Sequence, residues 1–232
     1  MKKKIFLHNL SKDFLIGESV FHAVKDISLE LFFGEMTMIV GPSGCGKTTL
    51  LSLLSGILSP SQGSVQIDST DLTNLSDYEK TLYRRHNIGF IFQEYNLIPS
   101  LTISENVALP LIALGLSYEE SLDKAEKTLG FLGIHDRSTQ LPAQLSGGEK
   151  QRVAIARGLI QDPLVVVCDE PTASLDGKNG QEVMALLRNI ANKPERAVII
   201  VSHDQRIFSF ADRVIEMEDG KIIKDERKAI TF

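Results

Sequence analysis

From Ile27 to Leu31 the chain reads ISLEL, with apolar and polar side chains in alternation, the pattern of a strand with one buried face. Gly34 supplies the turn after it, and the pattern predicts a short antiparallel sheet near the N-terminus. MTMIV (36–40), NIGFIF (87–92), LVVVC (164–168) and AVIIV (197–201) behave differently. They are apolar runs without alternation, each bounded by polar residues, as strands buried on both faces of a parallel sheet require.

Helical spacing appears in two places. Leu50, Leu51, Leu53, Leu54 and Ile57 follow a glycine-rich stretch at helical intervals, with Gly56 as an interruption. Between residues 104 and 144 no strand-like run occurs, and Leu122, Ala125, Leu129 and Leu132 mark one helix face, which predicts a helical insertion in an α/β core. Near the end, VIEMEDGKIIK places Asp219 and Gly220 between two strand-like pieces, a hairpin signal.

Composition narrows the class without changing this picture. With 43% hydrophobic and 24% charged residues in 232, the chain is expected to fold as an ordinary globular protein. The net charge of -5 excludes a general basic footprint for nucleic acid. The opening MKKKIFLHNL is interrupted by His8 and Asn9 and lacks a cleavage site, so it reads as a strand behind a charge cluster and not as a signal peptide. No apolar run reaches the length of about 18 residues that crosses a bilayer, which leads us to expect a soluble chain. Cys45 and Cys168 are too few for a disulfide framework or a metal site and are expected to remain thiols in a cytoplasmic setting.

The candidate chemistry begins at GPSGCGKT, residues 41–48, which has the spacing of a phosphate loop and lies between a predicted strand and a predicted helix. Gly41, Gly44 and Gly46 let the backbone curl with its N–H groups inward around phosphates, and Pro42, Ser43 and Cys45 complete the loop. Cys45 reads as a small filler. Lys47 adds a mobile positive charge, the Thr48 hydroxyl is placed for Mg²⁺, and Thr49 follows at an inner phosphate. Such a site needs a carboxylate at the end of a neighbouring strand, and LVVVCDEP supplies Asp169 for the metal and Glu170 to polarise water, both reachable from a frayed strand end.

LSGGEKQRVAIARG, from Leu145, then resembles the signature motif of the ATP-binding cassette (ABC) family, a likeness that covers nearly the whole chain. The resemblance implies an α/β phosphate-loop core with an antiparallel β subdomain, divided as 1–103 and 160–232 around a helical subdomain at 104–159. It implies that Ser146, Gly147, Gly148 and Glu149 face the γ-phosphate of ATP held by a second copy, so that two chains close head to tail. Gln93 matches the glutamine loop that reaches Mg²⁺ and the attacking water. Ser174 to Asp176 match the loop that crosses the dimer interface, with Asp176 near the nucleotide, and His203 matches the switch histidine. Phe14 stands where the family stacks an aromatic ring on the base. Glu149 replaces the commoner glutamine, and Cys168 an aliphatic residue. Ser202, His203 and Asp204 are consecutive and cannot form a hydrolase relay.

Within the family, FIFQEYNLIPSLTISENVALPL and CDEPTASLD look most like the subgroup that powers lipoprotein release and macrolide or glycolipid export. That implies an ATPase driving a separate membrane permease from the cytoplasmic face, with export or extraction of a lipoprotein, lipid or hydrophobic compound. The segment 94–101, with Tyr95, Leu97 and Ile98 expected to be exposed, is the candidate permease dock. The alternative is a soluble ABC ATPase of DNA repair or translation; the long coiled-coil insertion and the fused second cassette of those branches are missing here.

Overall fold

The computed structural model describes residues 3–227, so Met1 and Lys2 of the opening charge cluster lie outside the described residues. Two sheets organise the chain. A four-stranded antiparallel sheet, in the order β2-β1-β4-β5, is built from β1 (Lys4–Ile16), β2 (Ser19–Phe32), β4 (Gln62–Ile67) and β5 (Thr70–Asp71). A six-stranded sheet, in the order β10-β9-β3-β8-β7-β6, contains β3 (Met36–Val40), β6 (Ile88–Ile91), β7 (Val165–Asp169), β8 (Ala197–Ser202), β9 (Arg213–Glu218) and β10 (Lys221–Arg227). All of its pairs are parallel except β9 with β10.

The four unalternating runs are thus the neighbouring parallel strands β3, β8, β7 and β6, and their period of two explains why both faces need apolar residues. Met36, Met38, Val166, Cys168, Val198 and Ile200 belong to one core. Ile39, Val165, Val167, Ile199 and Val201 belong to the other, which lies beneath the antiparallel sheet. Helix α1 (Lys47–Leu54) buries Leu50, Leu51, Leu53 and Leu54 in the second core. Ile57 does not continue it: the helix stops at Leu54, Gly56 takes a φ of 68°, and Ile57 is exposed.

Helix α2 (Asp77–Asn87) precedes β6. The expected helical insertion consists of α3 (Ile103–Ala113), α4 (Tyr118–Phe131) and α5 (Gly147–Leu159), and Ala125, Leu129 and Leu132 are buried as their spacing required. Helix α6 (Gly177–Ala191) follows the acidic strand and covers the first core through Val183, Met184 and Leu187. The β9–β10 turn has Asp219 at φ 46° and Gly220 at φ 80°, the left-handed pair a two-residue hairpin uses.

Candidate functional site

At the end of β3 the chain enters the glycine-rich loop. A Cβ on Gly41 would stand 2.1 Å from the Met217 carbonyl oxygen, and one on Gly46, at φ 101°, would stand 2.2 Å from that of Ala23. The loop is therefore wedged between β9 and β2, and a side chain at either position would displace backbone. The β9–β10 hairpin closes it from above, since the Gly220 N–H donates to the Cys45 carbonyl at 3.0 Å.

Lys47 corrects one expectation. It is buried, 7% exposed, and its Nζ donates to the carbonyls of Gly41 and Pro42 at 2.9 Å each, so it is a docked cation and not a mobile one. An arriving phosphate exchanges these neutral acceptors for charged oxygens, a stronger class of hydrogen bond. Cys45 fills space as its reading as a small filler has it: its thiol is buried in the core beneath the loop, so only its main chain can serve a ligand.

In front of the loop opens a cavity of about 780 Å³, lined by Pro42, Ser43, Gly44 and residues 46–49. Gln93, from the end of β6, lines it together with Glu170 and His203, although the three lie far apart in sequence. The Thr48 hydroxyl donates to Asp169 Oδ1 at 3.2 Å. Burial pushes the Asp169 carboxyl up, the Thr48 hydrogen bond opposes this, the Glu170 charge adds to it and the Lys47 charge lowers it. A hydroxyl, one carboxylate and the Gln93 amide form a hard oxygen set, which suits Mg²⁺ completed by water and substrate phosphates.

Glu170 is not at a frayed end. Its N–H donates to the Val201 carbonyl at 3.0 Å, its φ is 48°, and its side chain lines the cavity. Ser202 Oγ donates to Glu170 Oε2 at 3.1 Å, and His203 Nδ1 lies 2.7 Å from Oε1. The carboxylate is therefore held from both oxygens. Ser202 is a functional residue that the sequence reading passed over, and the serine and histidine of the SHD triplet both serve this glutamate.

The signature residues sit elsewhere. Ser146 caps α5: its Oγ accepts from the Glu149 N–H at 3.4 Å and donates to Glu149 Oε2 at 2.7 Å. Glu149 Oε1 accepts from Arg137 at 3.1 Å, and the Ser146 hydrogen bonds, with Arg137 helping, hold its carboxyl below the usual range. Glu149, expected at the nucleotide, is thus committed to the cap. The amides of Gly147 and Gly148, at the first two helical positions, have no intrahelical acceptor. Asp176 caps α6 through Asn179 N–H at 2.9 Å and Asn179 Nδ2 at 2.7 Å. None of residues 146–149 or 176 lines the phosphate cavity.

Two further expectations change. Phe14 is half-buried and does not line the cavity; Phe21, directly opposite it across the β1–β2 hairpin, does. In segment 94–101, Tyr95 and Leu97 are half-buried, Leu97 packing on the first core, while Ile98 is 41% exposed.

Residues 24–173 match the family model described as ABC transporter. The chain is 42% identical over 211 residues to an ABC transporter ATP-binding protein of Mycobacterium tuberculosis, covering 91% of this chain but 64% of that relative's length. It is 40% identical over 219 residues to the lipoprotein-releasing system ATP-binding protein LolD of Bacteroides fragilis, covering 94% of this chain and all of that one. Among solved structures, the dimeric post-hydrolysis state of the ATP-binding cassette MJ0796, bound to ADP and Pi, superposes with a TM-score of 0.89 at 39% identity, covering 96% of this chain and 98% of that chain. Fold, motif order and sequence all agree, and the chain belongs to the ABC transporter family.

Proposed function

We propose that this chain is the ATP-binding and ATP-hydrolysing subunit of a membrane transporter, acting as a head-to-tail homodimer. One observation carries the reading: a single copy holds a finished phosphate cradle and, away from it, a capped helix whose first amides have no acceptor among the described residues. A rotation of two copies that sets each helix start on the other's cradle completes two equal sites.

In that arrangement Lys47 and the amides of residues 43–49 bind the phosphates, with Phe21 at the base. Thr48, Asp169 and Gln93 would hold Mg²⁺, which when bound neutralises phosphate charge. Glu170, fixed by Ser202 and His203, orients water and accepts its proton at the free lone pairs of its carboxylate. Ser146, Gly147 and Gly148 of the second copy meet the γ-phosphate, so hydrolysis removes the bridge that closes the dimer.

The likeness to LolD supports a permease partner on the cytoplasmic face of the membrane and a lipoprotein, lipid or hydrophobic cargo. Residues 104–159 form the helical subdomain beside the core, and Ile98 is the apolar contact for a cytoplasmic permease helix. Affinity purification of tagged Glu170→Gln protein from detergent-solubilised host membranes with ATP tests this. Recovery of a permease, lost on Ile98→Glu, is expected; recovery of only soluble ribosomal or DNA-associated partners would overturn it.

A further inference from the structure

Tyr95 was expected to face outward, and the structure turns it the other way. Tyr95 and Asn96 are consecutive non-glycine residues in the left-handed region, at φ 60° and 48°. For an aromatic residue this backbone is strained and persists only where its surroundings enforce it. The enforcement comes from α5. Arg157 donates to the Asn96 carbonyl at 2.5 Å and to the Tyr95 carbonyl at 2.6 Å, and it does so from a desolvated position that lowers its pKa.

The Tyr95 side chain then runs toward the other end of the same helix. A Cβ on Gly147 would lie 3.3 Å from the Tyr95 hydroxyl and 3.5 Å from the Ser174 carbonyl oxygen. Gly147 starts α5 ten residues before Arg157, roughly 15 Å along the axis. The glutamine loop is thus strapped along α5, gripped at one end and resting on the signature at the other. At that second end the Tyr95 hydroxyl is a donor and the Ser174 carbonyl an acceptor, each without a hydrogen-bond partner among the described residues. Both adjoin the bare side of Gly147, where any side chain would crowd them.

We infer that Tyr95 is a positioning residue: when two copies close on ATP, its hydroxyl donates to the Ser174 carbonyl across Gly147, locking glutamine loop, signature helix and interface loop of one chain together. Gln93 reads the chain's own nucleotide, while the signature helix and the Ser174 loop face the partner, so the lock links the two sites. The inference rests on the ATP-closed dimer proposed above and needs no permease.

The test uses the purified full chain in the Glu170→Gln background. Tyr95→Phe is expected to raise the Kd of the ATP-driven dimer at least threefold, with the Tm of the nucleotide-free chain and the ATP affinity of the monomer unchanged, because the hydroxyl has no partner among the described residues of the single chain. Gly147→Ala, which places a methyl against both groups, is expected to cost less dimer affinity in the Tyr95→Phe chain than in the parent. A dimer Kd within twofold of the parent, a Kd rise matched by a fall in Tm, or strictly additive effects of the two substitutions would each overturn the lock. A Glu170→Gln parent that binds ATP and stays monomeric would overturn the dimer itself, and the lock with it.

Discussion

The phosphate cradle and the signature helix are both anion sites made from a glycine-rich approach to a helix start, yet the chain treats them in opposite ways. Around the cradle every charged group has an internal partner: Lys47 on two carbonyls, Asp169 on Thr48, Glu170 between Ser202 and His203. At the signature the internal bonds stop at the cap, and the amides of Gly147 and Gly148 have no hydrogen-bond acceptor among the described residues. A site closed by its own chain can bind; one left open can only complete another. The difference explains why the same molecule would hold nucleotide alone but hydrolyse it only in pairs.

Substitutions on the two sides should therefore separate binding from closure. The largest effect is expected from Lys47→Ala, which removes charge-assisted bonds worth about 1.5–3 kcal/mol and should weaken ATP binding by the monomer roughly 10- to 100-fold in calorimetry. Retained tight binding would contradict the cradle. Ser146→Ala removes a cap worth about 1 kcal/mol. It should leave monomer ATP affinity unchanged and weaken the ATP-driven dimer several-fold; an equal loss of monomer affinity would erase the distinction between the two regions.

Smaller effects sharpen the cradle itself. Phe21→Ala should lower ATP affinity by the loss of an aromatic stack, about 0.5–1.5 kcal/mol, and more than Phe14→Ala does, since Phe21 lines the cavity. The reverse order would return the base to Phe14. Asp169 has the subtlest signature. Because burial raises its pKa in the folded chain, it binds a proton more tightly there than in the unfolded chain, so its charge weakens the fold at neutral pH and this penalty fades as pH falls into the carboxylate range. Asp169→Asn should raise the Tm of the nucleotide-free chain at pH 7, with the gap closing toward acid pH, while hydrolysis is lost with the metal ligand. A lower Tm at neutral pH would mean that the Thr48 hydrogen bond outweighs desolvation.

Much of this was legible in the residues, for reasons that differ by region. The parallel strands were, because burial on both faces leaves an unbroken apolar run, and so was the hairpin at Asp219 and Gly220, because few residue pairs accept its backbone. The phosphate loop was legible because its glycines are fixed by close contacts. What those contacts are was not, since Ala23 and Met217 approach from strands distant in sequence. Helix α2 was missed although Ser76 and Glu79 announce it with the same reciprocal cap that Ser146 and Glu149 make. Phe21 could have been found by folding residues 14–21 about the two-residue turn at Gly17 and Glu18, which sets it opposite Phe14. Ser202 and Arg137 left no local signal, because their roles exist only once a partner strand or helix arrives.

The claim that one chain carries two halves of different sites is tested most directly by light scattering on purified Glu170→Gln protein. With ATP and Mg²⁺ the mass should double, and with ADP it should return to that of one chain. A mass that stays at one chain while ATP is bound would contradict the account.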